Sequence, residues 1–208
     1  MSGINNIFYV IVLIMSVVVH EVAHGFAADA LGDKTARYAR RLSLNPIRHI
    51  DIVGSIILPL LLIVTNAGFV IGWAKPVPYN ELNLRNKKYG TLLVAGAGIL
   101  ANICLAVFFG IAIRFSHLLG SAQESFVGIA TAIVLVNMLL ALFNLIPIPP
   151  LDGSKILFSL LRGRAVAFQT VVEYLSLPLL IVFIFFLWPM FQPAIVYIFF
   201  LLTGLPMY

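Results

Sequence analysis

The sequence predicts an all-α polytopic membrane protein of about five full transmembrane helices, with a re-entrant helix and extended segment near residues 52–78. Three observations carry that prediction. Of 208 residues, 62% are hydrophobic and 10% charged, where ordinary soluble domains are nearer a quarter charged. The apolar residues gather in runs approaching the roughly 20 that a helix needs to cross a bilayer. Of the 13 Lys and Arg residues, all but Arg114 fall in three loops, the pattern of positive charge kept on one side of a membrane. The mean hydropathy of +1.07 agrees.

Residues 4–31 read as the first helix, apolar as far as residue 19 and more polar beyond. Residues 32–51 form a basic loop. Residues 52–71 are apolar but interrupted by Gly54, Pro59, Asn66 and Gly68, and residues 72–90 form a second basic loop. Residues 91–114 and 126–146 are long helical spans, the second ending at Asn144 and Pro147. Residues 147–171 mix Pro, Gly and basic side chains. Two further spans, 173–187 and 190–206, are separated by Trp188-Pro189, where proline ends or kinks a helix. Residues 1–208 read as one membrane-embedded domain, with a core at about 10–160 and the last two spans as accessories. Residues 1–19 hold no Lys or Arg and no small-residue cleavage site, which argues against a removable signal peptide.

The charges set the topology. Lys34, Arg37, Arg40, Arg41 and Arg48 lie in the first loop, Lys75, Arg85, Lys87 and Lys88 in the second, and Lys155, Arg162 and Arg164 after residue 147. Positive-inside logic places all three loops in the cytoplasm and the N-terminus outside. If both early loops share one side, residues 52–71 must enter and return; the alternative is an ordinary span at which the charge rule fails once. Non-helical backbone at membrane depth is tolerated where it is buried in protein or lines a wet cavity, so this segment is expected beside the functional site. The net charge of +5 is then a matter of lipid contact and topology, with no nucleic-acid partner implied. The single Cys104 forms no internal disulfide, and a cysteine-based metal site is excluded by count.

The chemistry concentrates at His20-Glu21-Val22-Ala23-His24, which ends the apolar run of the first helix. Histidines four apart share one helical face and can bind a single Zn²⁺, with Glu21 beside the metal as general base. A catalytic zinc usually keeps three protein ligands and one open position. His49 and His117 are poor third ligands, the one set in a basic loop and the other on the opposite side of the membrane. Asp152 is the better candidate, because its span runs in the same direction as the first helix and brings it to the same depth. An aspartate near lipid is costly unless it binds a metal or a partner. Gly153 permits a sharp turn at that ligand. Asn144 either donates to a substrate carbonyl or caps the broken helix.

The HExxH motif at 20–24, taken with Asn144-x-x-Pro147 and Leu151-Asp152-Gly153, resembles the site-2 protease family of intramembrane zinc metalloproteases. Leu44-Asn45-Pro46 and Gly72-Trp73-Ala74-Lys75-Pro76-Val77-Pro78 are similar to the small bacterial and archaeal members, which lack PDZ and CBS domains. Gly96-Ala97-Gly98-Ile99-Leu100-Ala101-Asn102 resembles the family's Ala-Gly-Pro-x-x-Asn segment, with Ile99 where proline is usual. The resemblance implies a prokaryotic cell membrane, one Zn²⁺ held by His20, His24 and Asp152, and Glu21 as the base. It implies transmembrane protein substrates cut within the bilayer by a site towards the cytoplasm. Asn144, Asn102, Gly72 and Trp73 are then candidates for substrate binding or support, the last two in a stretch able to pair with an unwound substrate. Two other classes remain as alternatives. A membrane metal-ion transporter predicts more polar residues along a path to the far side, and residues 174–206 hold no charge. A non-catalytic scaffold of protease descent predicts loss of Glu21 or a ligand, and all are present.

Overall fold

A computed structural model of the chain describes residues 2–65, 74–86, 89–118, 123–161 and 166–206. Every regular element among them is helical: α1 (Ser2–Ala30), α2 (Thr35–Tyr38), α3 (Leu58–Val64), α4 (Gly90–Arg114), α5 (Gln123–Asn144), α6 (Asp152–Leu161), α7 (Val166–Tyr174), α8 (Ser176–Val182) and α9 (Trp188–Thr203). Four helices among the described residues are long and apolar enough to cross a bilayer: Phe8–Ala30, α4, α5 and the run Ser176–Thr203.

The predicted class is therefore present, with one difference at the C-terminus. The two spans expected at 173–187 and 190–206 are joined, because α8, a π-helical turn at Phe183–Leu187 and α9 follow without a break. Pro189 follows directly on the π-helical turn, where the regular α-helical ladder is already interrupted, so the proline sits inside a continuous helical run. The 28 residues of Ser176–Thr203 reach about 42 Å at 1.5 Å per residue. That suits one span of a core about 30 Å thick, not two.

α4 is the hub, packed on α1, α5, α6 and α9. Its buried face includes Ala95, Gly98, Asn102, Ala106 and Gly110, small side chains that let neighbouring helices approach closely. One core joins α4, α5 and α9 through Ala106, Ile113, Val134, Met138, Ile195 and Phe199. A second, around Ala28, Leu84 and Val94, binds the end of α1 to α4. Outward faces carry Ile11, Leu100, Phe108, Phe185 and Phe186 in exposed positions, as lipid contact requires. Arg114, the one cation outside the basic loops, caps α9: its guanidinium donates to the carbonyls of Leu201 and Leu202.

The expected enter-and-return of residues 52–78 has a direct correlate at its two ends. The Lys75 N–H donates to the His49 carbonyl at 2.8 Å. Between them, the described residues hold a π-helical turn at Ile52–Ile57 followed directly by α3. The Gly68–Trp73 part of the expected re-entrant stretch lies outside the described residues. His49 is buried, and its Nε2 donates to the Ser43 carbonyl at 2.8 Å.

Loops are tied to the end of α1 by carboxylates. Asp29 accepts two bonds from Arg37, at 2.9 and 2.7 Å, and pairs with Lys34 at 3.1 Å. Asp33, fully buried, accepts from the Thr35 and Asn80 N–H groups, the Thr35 hydroxyl and the Asn83 amide. Burial pushes its carboxyl up, and the bonds from Thr35, Asn83 and Asn80 outweigh that, holding it below the ordinary value of 3.8. The stabilisation is therefore complete above pH 3.8 and is lost as pH falls through the lower folded value. Asp33→Asn is expected to lower stability at pH 7 by about 1–3 kcal/mol, since buried donors lose a charged acceptor. Thermal unfolding in detergent should show the gap to wild type narrowing below pH 3.8; a gap that persists unchanged would sink this assignment.

Candidate metal centre

Ser16, His20 and His24 lie four residues apart on α1 and form one face. Val94, Gly98 and Asn102 do the same on α4. The two faces meet antiparallel: His20 contacts Asn102, and His24 contacts Val94. Gly98 makes that approach possible. A Cβ there would sit 2.5 Å and 2.6 Å from two atoms of the His24 ring and 2.7 Å from the His20 ring.

Asp152, the first residue of α6, completes the group. α5 ends at Asn144, and the chain turns back through residues 145–151. Gly153 then presses against the backbone of Leu145 and Ile146, where a Cβ would collide. Its φ is not positive, so the sequence-level reason for this glycine, a sharp turn, gives way to one of space. Asp152 Oδ2 lies 3.0 Å from His20 Nε2 and 2.9 Å from His24 Nε2, and the two Nε2 atoms are 3.0 Å apart. All three side chains are buried.

The outer ring nitrogens are already committed. His20 Nδ1 donates to Asn102 Oδ1 at 2.6 Å, and His24 Nδ1 donates to the Val94 carbonyl at 2.7 Å. In the neutral rings both Nε2 atoms are then bare, and with Asp152 Oδ2 they crowd three lone pairs together. Such a triangle is repulsive without a cation at its centre. Tetrahedral zinc bonded at 2.0–2.2 Å spaces its ligands by about 3.3 Å, close to the separations here. The residues fit the metal.

Two further groups frame the triangle. Glu21, half-buried next to His20, accepts a hydrogen bond from the Val77 N–H at 2.9 Å. Lys155 donates to Asp152 Oδ1 at 2.9 Å and stands 6.0 Å above the Tyr79 ring. Its ammonium occupies the carboxylate oxygen that faces away from the histidines, leaving Oδ2 as the single ligand atom. Lys155→Ala is expected to weaken zinc binding by about 10–100-fold, as for other outer partners of a metal ligand. Competition against a chelator of known affinity measures it, and an unchanged affinity would remove Lys155 from the centre.

Of the residues singled out by sequence, His20, His24 and Asp152 are brought together, Glu21 lies beside them, and Asn102 binds His20. Asn144 Nδ2 donates to the Leu140 carbonyl of its own helix at 3.0 Å, the capping alternative. Gly72 and Trp73 lie outside the described residues. Sequence reasoning missed Lys155 and the packing role of Gly98.

A family model, Peptidase family M50, matches residues 113–187, the stretch holding Asp152 and Lys155. Across most of the chain, the Bacillus subtilis (strain 168) protein named "Putative zinc metalloprotease YwhC" is 36% identical over 196 residues, 88% of this chain and 85% of that one. This chain belongs to peptidase family M50, the site-2 proteases. A Mycolicibacterium smegmatis (strain ATCC 700084 / mc(2)155) member named "Putative zinc metalloprotease Rip2" is 31% identical over 144 residues, 67% of this chain and 52% of that protein. No solved structure matches. As a site-2 protease family member the chain is a zinc metalloprotease and a multi-pass membrane protein, and its metal is zinc.

Proposed function

We propose that this site-2 protease cuts peptide bonds inside the transmembrane segments of membrane-anchored substrates, with His20, His24 and Asp152 holding one zinc ion and Glu21 acting as general base. One observation supports this reading above the others. Both histidines are buried on the candidate span Phe8–Ala30, so a scissile bond has to be presented to them between membrane helices. A zinc ion held by these three side chains would supply an acidified water and a Lewis acid for the scissile carbonyl. Glu21 takes the water's proton and passes it to the departing amine. The Val77 N–H steadies one Glu21 oxygen and leaves the other free for that transfer.

A helical substrate hides its carbonyls in hydrogen bonds and must unwind before attack. Residues 74–80 offer it few donors. The N–H groups of Lys75, Val77 and Asn80 are bound to His49, Glu21 and Asp33, and Pro76 and Pro78 have none. The stretch that includes Gly72 and Trp73 pairs with the unwound substrate in this reading. In this reading residues 1–208 act as one membrane-embedded unit in a prokaryotic cell membrane. The basic loops and the metal centre lie towards the cytoplasm and the N-terminus outside.

The test is cleavage of a single-span reporter by the purified chain in liposomes, with the cut mapped by mass spectrometry. A zinc-dependent cut within the apolar span is the expected result. Cutting only in the flanking soluble segments would overturn the intramembrane reading. Zinc flux across the liposome without cleavage would replace protease by transporter.

A further inference from the structure

Three buried polar side chains continue inward from His20, one each on α1, α4 and α5. Asn102 and Asn137 have no exposed surface, and Ser16 is 4% exposed. Asn137 Nδ2 donates to the Ile133 carbonyl at 2.9 Å and to Ser16 Oγ at 2.9 Å. Asn102 Nδ2 donates to Asn137 Oδ1 at 2.7 Å and lies 3.5 Å from the Ser16 carbonyl.

The direction of this chain is dictated by its far end. A backbone carbonyl can only accept, so the Asn137 atom facing Ile133 has to be the NH₂ group. Its Oδ1 is then turned to Asn102, whose facing atom must donate. That turns Asn102 Oδ1 to His20, and an amide oxygen can only accept. The His20 proton is thereby held on Nδ1, and Nε2 is left bare on the metal side. Reversing any one amide would set two donors or two acceptors against each other in a dry interior, at about 1–3 kcal/mol for each unmade bond.

We infer that Asn137 is a positioning residue of the metal centre: acting through Asn102 and anchored by the Ile133 carbonyl, it selects the His20 tautomer that binds zinc. The inference rests on the zinc-centre reading and not on the choice of substrate. A purely structural role for Asn137, joining α5 to α1 and α4 by interhelical hydrogen bonds, would alter stability and leave the tautomer alone.

Ring ¹⁵N NMR of the metal-stripped, histidine-labelled full chain in detergent separates the two, with His20 assigned by the signal lost in His20→Gln. Wild type is expected to show His20 with its proton wholly on Nδ1. In Asn137→Leu, which suits an apolar span, Asn102 loses its 2.7 Å partner and keeps only the 3.5 Å approach to the Ser16 carbonyl, so it turns over more readily. His20 is then expected to become a mixture of tautomers, and zinc binding to weaken about tenfold. Ser16→Ala keeps the Ile133 anchor and should leave both readouts at the wild-type value. An Nε2-protonated His20 in wild type would overturn the inference without any variant. So would an Asn137→Leu protein that melts lower yet keeps wild-type tautomer and zinc affinity, or a Ser16→Ala protein that shifts as far as Asn137→Leu. Proteolysis enters none of these measurements, so failure of the intramembrane reading would be seen separately, in the reporter assay.

Discussion

Glu21→Gln is expected to remove cleavage of a single-span reporter while zinc content stays at the wild-type level. The glutamine is isosteric and keeps an oxygen for the Val77 N–H, which in the wild-type chain lies 2.9 Å from Glu21 Oε2. The fold around it therefore has no reason to change. What it lacks is a basic site for the water's proton, and general acid–base catalysis contributes about 10²–10⁴-fold. The metal triangle is made by His20, His24 and Asp152, none of which loses a partner. Rate and metal content must be recorded on the same preparation. Equal cleavage by variant and wild type would take Glu21 out of the mechanism. Loss of zinc along with activity would instead give Glu21 a part in building the centre, a role the hydrogen bonds here do not suggest.

The sequence was most readable where geometry is local. Two histidines four apart on a helix share a face whatever surrounds them, so His20 and His24 could be paired with no knowledge of the fold. Asp152 took one more step, from charge pattern to topology to depth, and the structure does bring it to the two histidines. The same logic hid Lys155. Once positive charge near residues 155–164 had been explained by the membrane, nothing local distinguished the one ammonium that reaches Asp152 Oδ1 at 2.9 Å. The Val94, Gly98 and Asn102 face was out of reach for another reason. Four-residue spacing is visible in α4, but which of its faces meets α1, and in what register, depends on the packing of both helices against α5. The C-terminal run went astray because Trp188-Pro189 was read as a break. Proline in the first turn of a helix is tolerated when a preceding π-helical turn leads into it, and that local geometry is not written in the residue pair.

That register also yields a substitution with an unusually sharp expectation. Gly98→Ala adds one methyl group to α4, and in an ordinary helix it would be mildly stabilising, because alanine is favoured over glycine by roughly 0.5–1 kcal/mol. At this position the new Cβ would meet three atoms of the two zinc-binding rings at 2.5–2.7 Å. Neither ring can retreat without breaking its outer bond, to Asn102 for His20 or to the Val94 carbonyl for His24. The helices must part or the ligands must turn. Either way zinc is expected to be lost with a drop in affinity beyond the roughly 100-fold upper range for outer partners, together with about 1–3 kcal/mol of stability from overpacking. Gly96→Ala, two residues away, meets nothing within 4 Å and should leave zinc content and cleavage at wild-type values with equal or slightly higher thermal stability. Zinc content, chelator competition and melting temperature of the two variants side by side separate close packing at the metal from the general effect of a helical glycine. A Gly98→Ala protein with full zinc and full activity would show that the two faces do not meet in the register described.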